Sequence, residues 1–205
     1  MVITYYGAAC FKVQSGETVL AFDPPAKESS FKSPRFQADV VLVSVNAKDY
    51  NGWESLSGKG DATKPFLIDG KGEYEIGGVY VKGFGVSNDL LNTIYTVSLE
   101  DISICHFGAY KNKESDAVLK GEMGEVDILF MPIGGGDTID PQKAAAMAAH
   151  IEPKIVIPMH YNDAQLKQFL REFGAEGTKP TDKLTIKKKD LAEKKTEVVI
   201  LEPVV

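Results

Sequence analysis

Apolar residues in this chain fall into short runs separated by Gly, Pro, Asn and Asp. Val2 to Tyr6, Cys10 to Val13 and Thr18 to Phe22 read as three successive strands, with Gly7-Ala8-Ala9 and Gln14-Ser15-Gly16-Glu17 as the turns between them. Asp23-Pro24-Pro25 stops regular structure, and the polar stretch 26–37 reads as loop. Val40 to Ser44 is an aliphatic run with no polar alternation, the pattern of a strand buried on both faces. It empties into the polar turn Asn46-Ala47-Lys48-Asp49-Tyr50-Asn51. Residues 51–64 form a second loop, Pro65 to Ile68 a short strand, and the Gly-punctuated stretch 69–78 leads to a further extended piece at Val79 to Val81. Asn92 to Leu99 and Ile102 to Cys105 pair as a hairpin turning at Glu100-Asp101.

From residue 114 the period lengthens, and strands alternate with helices. A short helix is expected over 114–121 and an apolar strand over Val126 to Pro132, followed by the loop Gly134-Gly135-Gly136-Asp137. Asp140-Pro141 is a helix start, because Asp caps the free N–H groups and Pro suits the first turn; that helix ends before Pro153. Ile155 to Pro158 is another buried strand. Leu166, Phe169, Leu170 and Phe173 lie at helical spacing within 163–173, with Gly174 as the stop. Leu184 to Lys188 and Val198 to Leu201 close the chain as strands. A hairpin-rich first half and a strand–helix–strand second half fit two packed sheets with helices outside, in one domain spanning 1–205.

Composition narrows the picture little. The 205 residues are 43% hydrophobic and 25% charged, as in an ordinary globular protein, and the net charge of −6 argues against a nucleic-acid or anionic-membrane partner. Cys10 and Cys105 form no CxxC pair and read as buried thiols. The chain begins without a leader pattern and has no apolar run of membrane length, so a cytoplasmic location is expected. Lys187-Lys188-Lys189 reads as a solvated edge. Neither Ser44 nor Ser87 lies in a Gly-x-Ser-x-Gly elbow. The Gly134 to Gly136 loop lacks the Lys-Ser/Thr of a phosphate loop, although its N–H groups could cradle an anion.

The strand 40–44 and its exit loop resemble the first metal motif of the metallo-β-lactamase superfamily, a strand followed by His-x-His-x-Asp-His. Val45, Ala47 and Tyr50 stand at the histidine positions, and Asp49 alone matches. Tyr6-Gly7-Ala8-Ala9-Cys10-Phe11 is similar to the Gly-His-x-Cys-Phe opening of the bacterial Zn-dependent hydrolases of this fold, relatives of ascorbate-6-phosphate lactonase, with Ala8 at the histidine. Phe22-Asp23-Pro24, Gly72-Glu73-Tyr74-Glu75, Val126 to Gly136 and Pro153 to Tyr161 fit the same branch. Ile104-Cys105-His106-Phe107-Gly108-Ala109 resembles the family's His-Leu-Gly-Asp segment, with Ala109 at the metal-bridging aspartate. The resemblance implies an α/β fold, the four-layer αββα sandwich, with His160 at the final metal ligand.

The resemblance also implies two metals, one at positions 45 and 47 and one at 49, 50, 109 and 160. Val45, Ala47 and Ala109 carry no donor, and a Tyr50 phenol is a poor ligand at neutral pH. The three histidines His106, His150 and His160 are too few for a two-zinc site. The expectation is therefore a protein without metal cofactor and without catalysis, keeping a residual cleft of Asp23, Asp49, Tyr50, His106 and His160. Its role would be binding a small molecule or protein, or a structural one, with assembly into an oligomer as a further option. The alternative is a hydrolase with one zinc or manganese ion on Asp49 and His160, acting on a phosphorylated sugar, lactone or related ester. Asp23 is expected to bind loop backbone, Asp49 to cap a turn, His160 to bond between strand ends, and His150 to sit at a helix C-terminus.

Overall fold

A computed structural model describes residues 1–60, 62–87, 91–111 and 116–204. In chain order the strands are β1 (Val2–Tyr5), β2 (Phe11–Ser15), β3 (Thr18–Phe22), β4 (Gln37–Ala38), β5 (Val40–Leu42), β6 (Ser57–Gly58), β7 (Phe66–Ile68), β8 (Gly72–Ile76), β9 (Val79–Ser87), β10 (Leu91–Leu99) and β11 (Ile102–His106). Then follow α1 (Asp116–Met123), β12 (Ile128–Pro132), α2 (Pro141–Ile151), β13 (Ile155–Met159), α3 (Asp163–Phe173), β14 (Leu184–Thr185) and β15 (Glu197–Val198). The start of the helix expected over 114–121 lies outside the described residues.

Two sheets carry the fold. One has the order β14-β1-β2-β3-β5-β7 and the other β15-β13-β12-β11-β10-β9-β8. Side-chain alternation explains the continuous apolar runs. Leu20 and Phe22 of β3, Val40 and Leu42 of β5, Ile128 and Phe130 of β12, and Ile155 and Ile157 of β13 all point into the core between the sheets. Their neighbours Leu129, Met131 and Val156 face the opposite way and pack under Leu119, Ala144, Ala148, Phe169 and Leu170 of the three helices. On the far side Val19, Ala21, Val41 and Val43 are covered by Ala38, Leu56, Phe36 and Trp53. The αββα layering is present, with its first layer reduced to loop and the 3-10 turn Trp53–Ser55.

Local chemistry fixes the ends. Asp140 accepts from Gln142 N–H with Pro141 at the first turn of α2, and Asn162 with Gln165 forms a capping box on α3, which Gly174 terminates at φ 72°. The β10–β11 hairpin turns through Glu100 and Asp101 at φ 51° and 62°, the pair of left-handed residues that a tight hairpin requires. Strand β8 and the length of β9 depart from the sequence expectation. Strand β8 is the exposed edge of its sheet, where little apolar patterning is needed, and β9 runs on past Val81 because it pairs with β10 as far as Ser87. Gly83, which interrupts the pattern of β9, is there because a Cβ would stand 2.8 Å from the Gly70 carbonyl oxygen. No helix among the described residues is long and apolar enough to cross a membrane.

Candidate functional site

The loops that follow β1, β3, β5, β11, β12 and β13 meet at one end of the sandwich. His160 N–H donates to the Ala8 carbonyl at 2.7 Å, and Thr93 N–H to the Ser44 carbonyl at 2.9 Å. Gly134 lies so close under His160 that a Cβ there would stand 2.3 Å from the His160 carbonyl oxygen. Three residues of these loops, Ala8, Asp23 and His160, have φ of 51°, 41° and 53°. Left-handed backbone at Ala and His costs energy and persists where surrounding contacts dictate the chain path, which happens preferentially at functional sites.

The site has two tiers. In the lower tier Asp23 and His106 are each 1% exposed. The Asp23 carboxyl accepts from Ser44 N–H at 2.7 Å and from the Ser44 hydroxyl at 2.6 Å. Burial raises its pKa to about 7 against those two stabilising bonds. His106 Nε2–H donates to the Ala9 carbonyl at 3.0 Å, and its Nδ1 accepts from Gly108 N–H at 3.1 Å. That pattern assigns the proton to Nε2. Burial pushes the His106 pKa down to about 4, opposed by the bond to Ala9, so the imidazole is neutral. The 3.7 Å approach of Asp23 Oδ2 to His106 Nδ1 is consequently no ion pair. Asn92 donates to the Phe107 carbonyl at 3.0 Å and accepts from Ala109 N–H at 2.8 Å. Phe22 stacks on the His106 ring at 5.1 Å. These groups are hydrogen-bonded to each other and to loop backbone, and they hold the loop ends in place.

The upper tier faces outward. Asp49, half-buried, accepts from the Ser29 hydroxyl at 2.6 Å. The Tyr50 ring lies parallel to His160 at 5.9 Å and 8°, and Phe31 approaches the same imidazole at 6.0 Å. Burial lowers the His160 pKa, opposed first by a hydrogen bond to its own backbone and then by the carboxylates of Asp49 and Asp137. Burial raises the Tyr50 pKa, reinforced by Asp23, Asp49 and Asp137, so the phenol keeps its proton. The result is an imidazole biased towards its neutral form by burial, with the Asp49 and Asp137 carboxylates near enough to favour the protonated one.

Of the residues expected at the cleft, half-buried Asp49 and His160 lie nearest the surface with buried Tyr50 against the His160 ring, whereas Asp23 and His106 are sealed among the loop ends. Asp23 binds loop backbone through Ser44 N–H; Asp49 bonds a side chain of the 23–36 loop rather than capping its own turn. His150 is exposed in the last turn of α2. Gly134 to Gly136 does not offer a free cradle, because Gly134 N–H bonds Thr138 Oγ1 and Gly135 N–H bonds the Ile139 carbonyl. Cys10 and Cys105 are free and buried, and burial raises both thiols. Ser29, Phe31, Ser44, Asn92 and Asp137 were not expected. Asn92, beside the aliphatic and aromatic residues of β10, carried the one usable sequence signal, since an amide side chain at a buried strand position must find partners.

The positions where the family carries other metal donors are packed shut. Val45, Tyr50 and Ala109 belong to the core between the sheets, Ala47 packs against it, and Ala8 is buried. A catalytic zinc takes about three protein ligands plus a water. Asp49 and His160 supply two, both nitrogens of His106 are engaged, and among the described residues no group of three or more His, Cys, Asp or Glu side chains could hold a metal ion. The donor set does not fit the metal centre of this fold.

Comparison with known proteins places the chain. Residues 2–160 match the family model of the beta-lactamase superfamily domain. A metal-dependent hydrolase of Lysinibacillus sphaericus is 28% identical over 197 residues, covering 79% of this chain and 86% of its own, and one of Listeria monocytogenes is 26% identical with the same coverage. Among solved structures, a Thermotoga maritima protein assigned to the Zn-dependent hydrolases of the metallo-β-lactamase superfamily superposes with TM-score 0.80 at 28% identity, covering 98% of this chain and 99% of that one. A metallo hydrolase from Ignicoccus hospitalis shares the fold at TM-score 0.68 and 17% identity, covering 98% and 95%. These relatives correct the expectation that no metal cofactor is involved. That expectation rested on side chains missing from one sequence, and it does not stand against relatives along most of the chain that are named for metal dependence. With the match running over residues 2–160, the chain belongs to the beta-lactamase superfamily.

Proposed function

We propose that this protein is a hydrolase of small ester-type substrates, a phosphorylated sugar, lactone or related ester, bound at the cleft of Asp49, Tyr50 and His160. The observation that carries the reading is the neutral imidazole of His160 beside the Asp49 carboxylate, at the ends of β13 and β5, in a chain whose relatives are named hydrolases. His160 takes a proton from the attacking water, and Asp49 stabilises the imidazolium. Tyr50 holds the imidazole by stacking and remains a protonated phenol. A metal ion in this cleft would meet Asp49 and His160 as its protein donors. Two protein donors fall short of the three that a catalytic zinc takes.

A panel of phosphosugars, lactones and carboxylic esters, assayed on untagged protein with and without added zinc or manganese, tests the reading. Turnover that drops about a hundredfold in His160→Ala is the expected result. No turnover under either condition, or turnover indifferent to His160→Ala, overturns it. A second reading, ligand binding without turnover, is favoured by the apolar filling at Ala8, Val45, Ala47 and Ala109. It predicts saturable binding in that panel with substrate recovered intact.

A further inference from the structure

A cavity is formed in part by the same loop that carries Ser29 and Phe31. It has a volume of about 720 Å³ and is lined among others by Tyr6, Lys27, Lys32, Ser33, Arg35 and Glu54. That volume is in the range of small-molecule sites. Lys27, Lys32 and Arg35 have no ion-pair or hydrogen-bond partner among the described residues. What sets these three apart is that they line one cavity together. Among the described residues lining the cavity, Glu54 is the one acidic side chain. Ser33, between the cations in sequence, has a hydroxyl oxygen shielded from water with no hydrogen-bond partner. Buried hydroxyls without partners are rare in native proteins and ask for an explanation. The wall beyond is firm, with Tyr6 against Phe36 at 5.1 Å and Pro34 buried.

We infer that this cavity is a binding site for a phosphomonoester dianion. Three cations against one carboxylate leave two positive charges, which matches the charge of a phosphomonoester at neutral pH. Arg35 supplies a planar fork for two phosphoryl oxygens, and Lys27 and Lys32 supply point charges. Ser33 supplies a hydroxyl that gains a partner when its side chain turns toward a bound oxygen. The remaining volume admits a body of sugar size. This site stands whether or not the neighbouring cleft performs hydrolysis. The shared loop nevertheless ties the two, because Ser29 bonds Asp49 and Phe31 lies against His160.

Calorimetric titration at pH 7.5 with glucose 6-phosphate, inorganic phosphate and glucose tests the site. The native chain is compared with Lys32→Ala/Arg35→Ala and with the exposed pair Lys189→Ala/Lys195→Ala, which lies near the start of β13, at the other end of that strand from His160. The expected result is saturable binding of the phosphorylated ligands, none of glucose, and about a tenfold or greater loss in the Lys32/Arg35 variant alone. Binding should also weaken as pH falls through about 6, where a phosphomonoester loses its second charge. Glucose 6-phosphate binding tighter than inorganic phosphate means the cavity also reads the body of the ligand. Equal affinities mean that it reads the anion; both support the site. No saturation up to about 20 mM overturns the inference, as does equal weakening in the two variants or binding of glucose alone. The single tryptophan, Trp53, adjacent to Glu54 in sequence, gives a fluorescence readout that confirms the variants are folded.

Discussion

His106 and His160 stand on neighbouring loops of the same fold, and the protein uses them in opposite ways. His106 is sealed among Phe11, Phe22 and Phe130, with both ring nitrogens bonded to backbone. His160 is half-exposed, held by stacking on Tyr50, with carboxylates of two other loops near enough to act on its proton affinity. The difference teaches that burial and partner count, rather than residue type or position in a motif, decide which group is available for chemistry. A histidine with both nitrogens engaged is a structural part. One held chiefly by stacking, with a ring bond only to its own backbone, keeps a nitrogen for chemistry.

The largest expected effect sharpens that contrast. His106→Ala removes a packed ring and leaves the Ala9 carbonyl and Gly108 N–H without partners, so it should cost about 3–5 kcal/mol in urea unfolding. His160→Ala should cost about 1 kcal/mol or less while removing the proton acceptor of the cleft. Gly134→Ala comes next. Its Cβ would press on the His160 backbone at 2.3 Å, and the displacement should cost toward the upper end of about 1–3 kcal/mol, read as a fall in denaturation midpoint.

The pH dependence of stability separates the tiers in another way. Asp23 titrates at about 7 when folded against an ordinary 3.8, so the folded state holds that proton more tightly and stability falls as pH rises between those values. His106 moves from 6.5 to about 4 on folding, so its contribution is lost as pH falls through that window. From pH 5 to 7 the two oppose each other and nearly cancel. Asp23→Asn leaves only the histidine, and the variant should gain about 2 kcal/mol of stability over that range where the native protein gains little, as measured by unfolding at each pH. The smallest effect is on the rim. Ser29→Ala loses one half-buried hydrogen bond to Asp49 and should cost under about 1 kcal/mol by thermal melting.

Much of the fold was legible because strands buried on both faces need unbroken apolar runs, and because Asp140-Pro141 and Gly174 mark helix ends by simple chemistry. Strand β8 was not legible, since an exposed edge strand such as Gly72–Ile76 needs no such pattern. The closing strands were expected to be longer than Leu184–Thr185 and Glu197–Val198, because a run of Lys and Val reads as extended whether or not a neighbour is there to pair with it. At the site, the motif positions located Asp49, Tyr50 and His160. Ser29 and Phe31 were invisible, because their roles arise from a loop without periodicity folding back over the strand ends. The two-tier division was also hidden, since sequence records which residues are present but not which nitrogens are already bonded.

The most direct test of the account is an NMR titration of the histidine ring protons with a soluble paramagnetic probe present. His106 is expected to show no protonation step of its own between about pH 5 and 8, only a small shift as the adjacent Asp23 titrates near 7, and to be untouched by the probe, while His160 is broadened by it. A His106 signal with a protonation step of its own in that range, or broadened as much as that of His160, would contradict the division of the site into a sealed structural tier and an open working one.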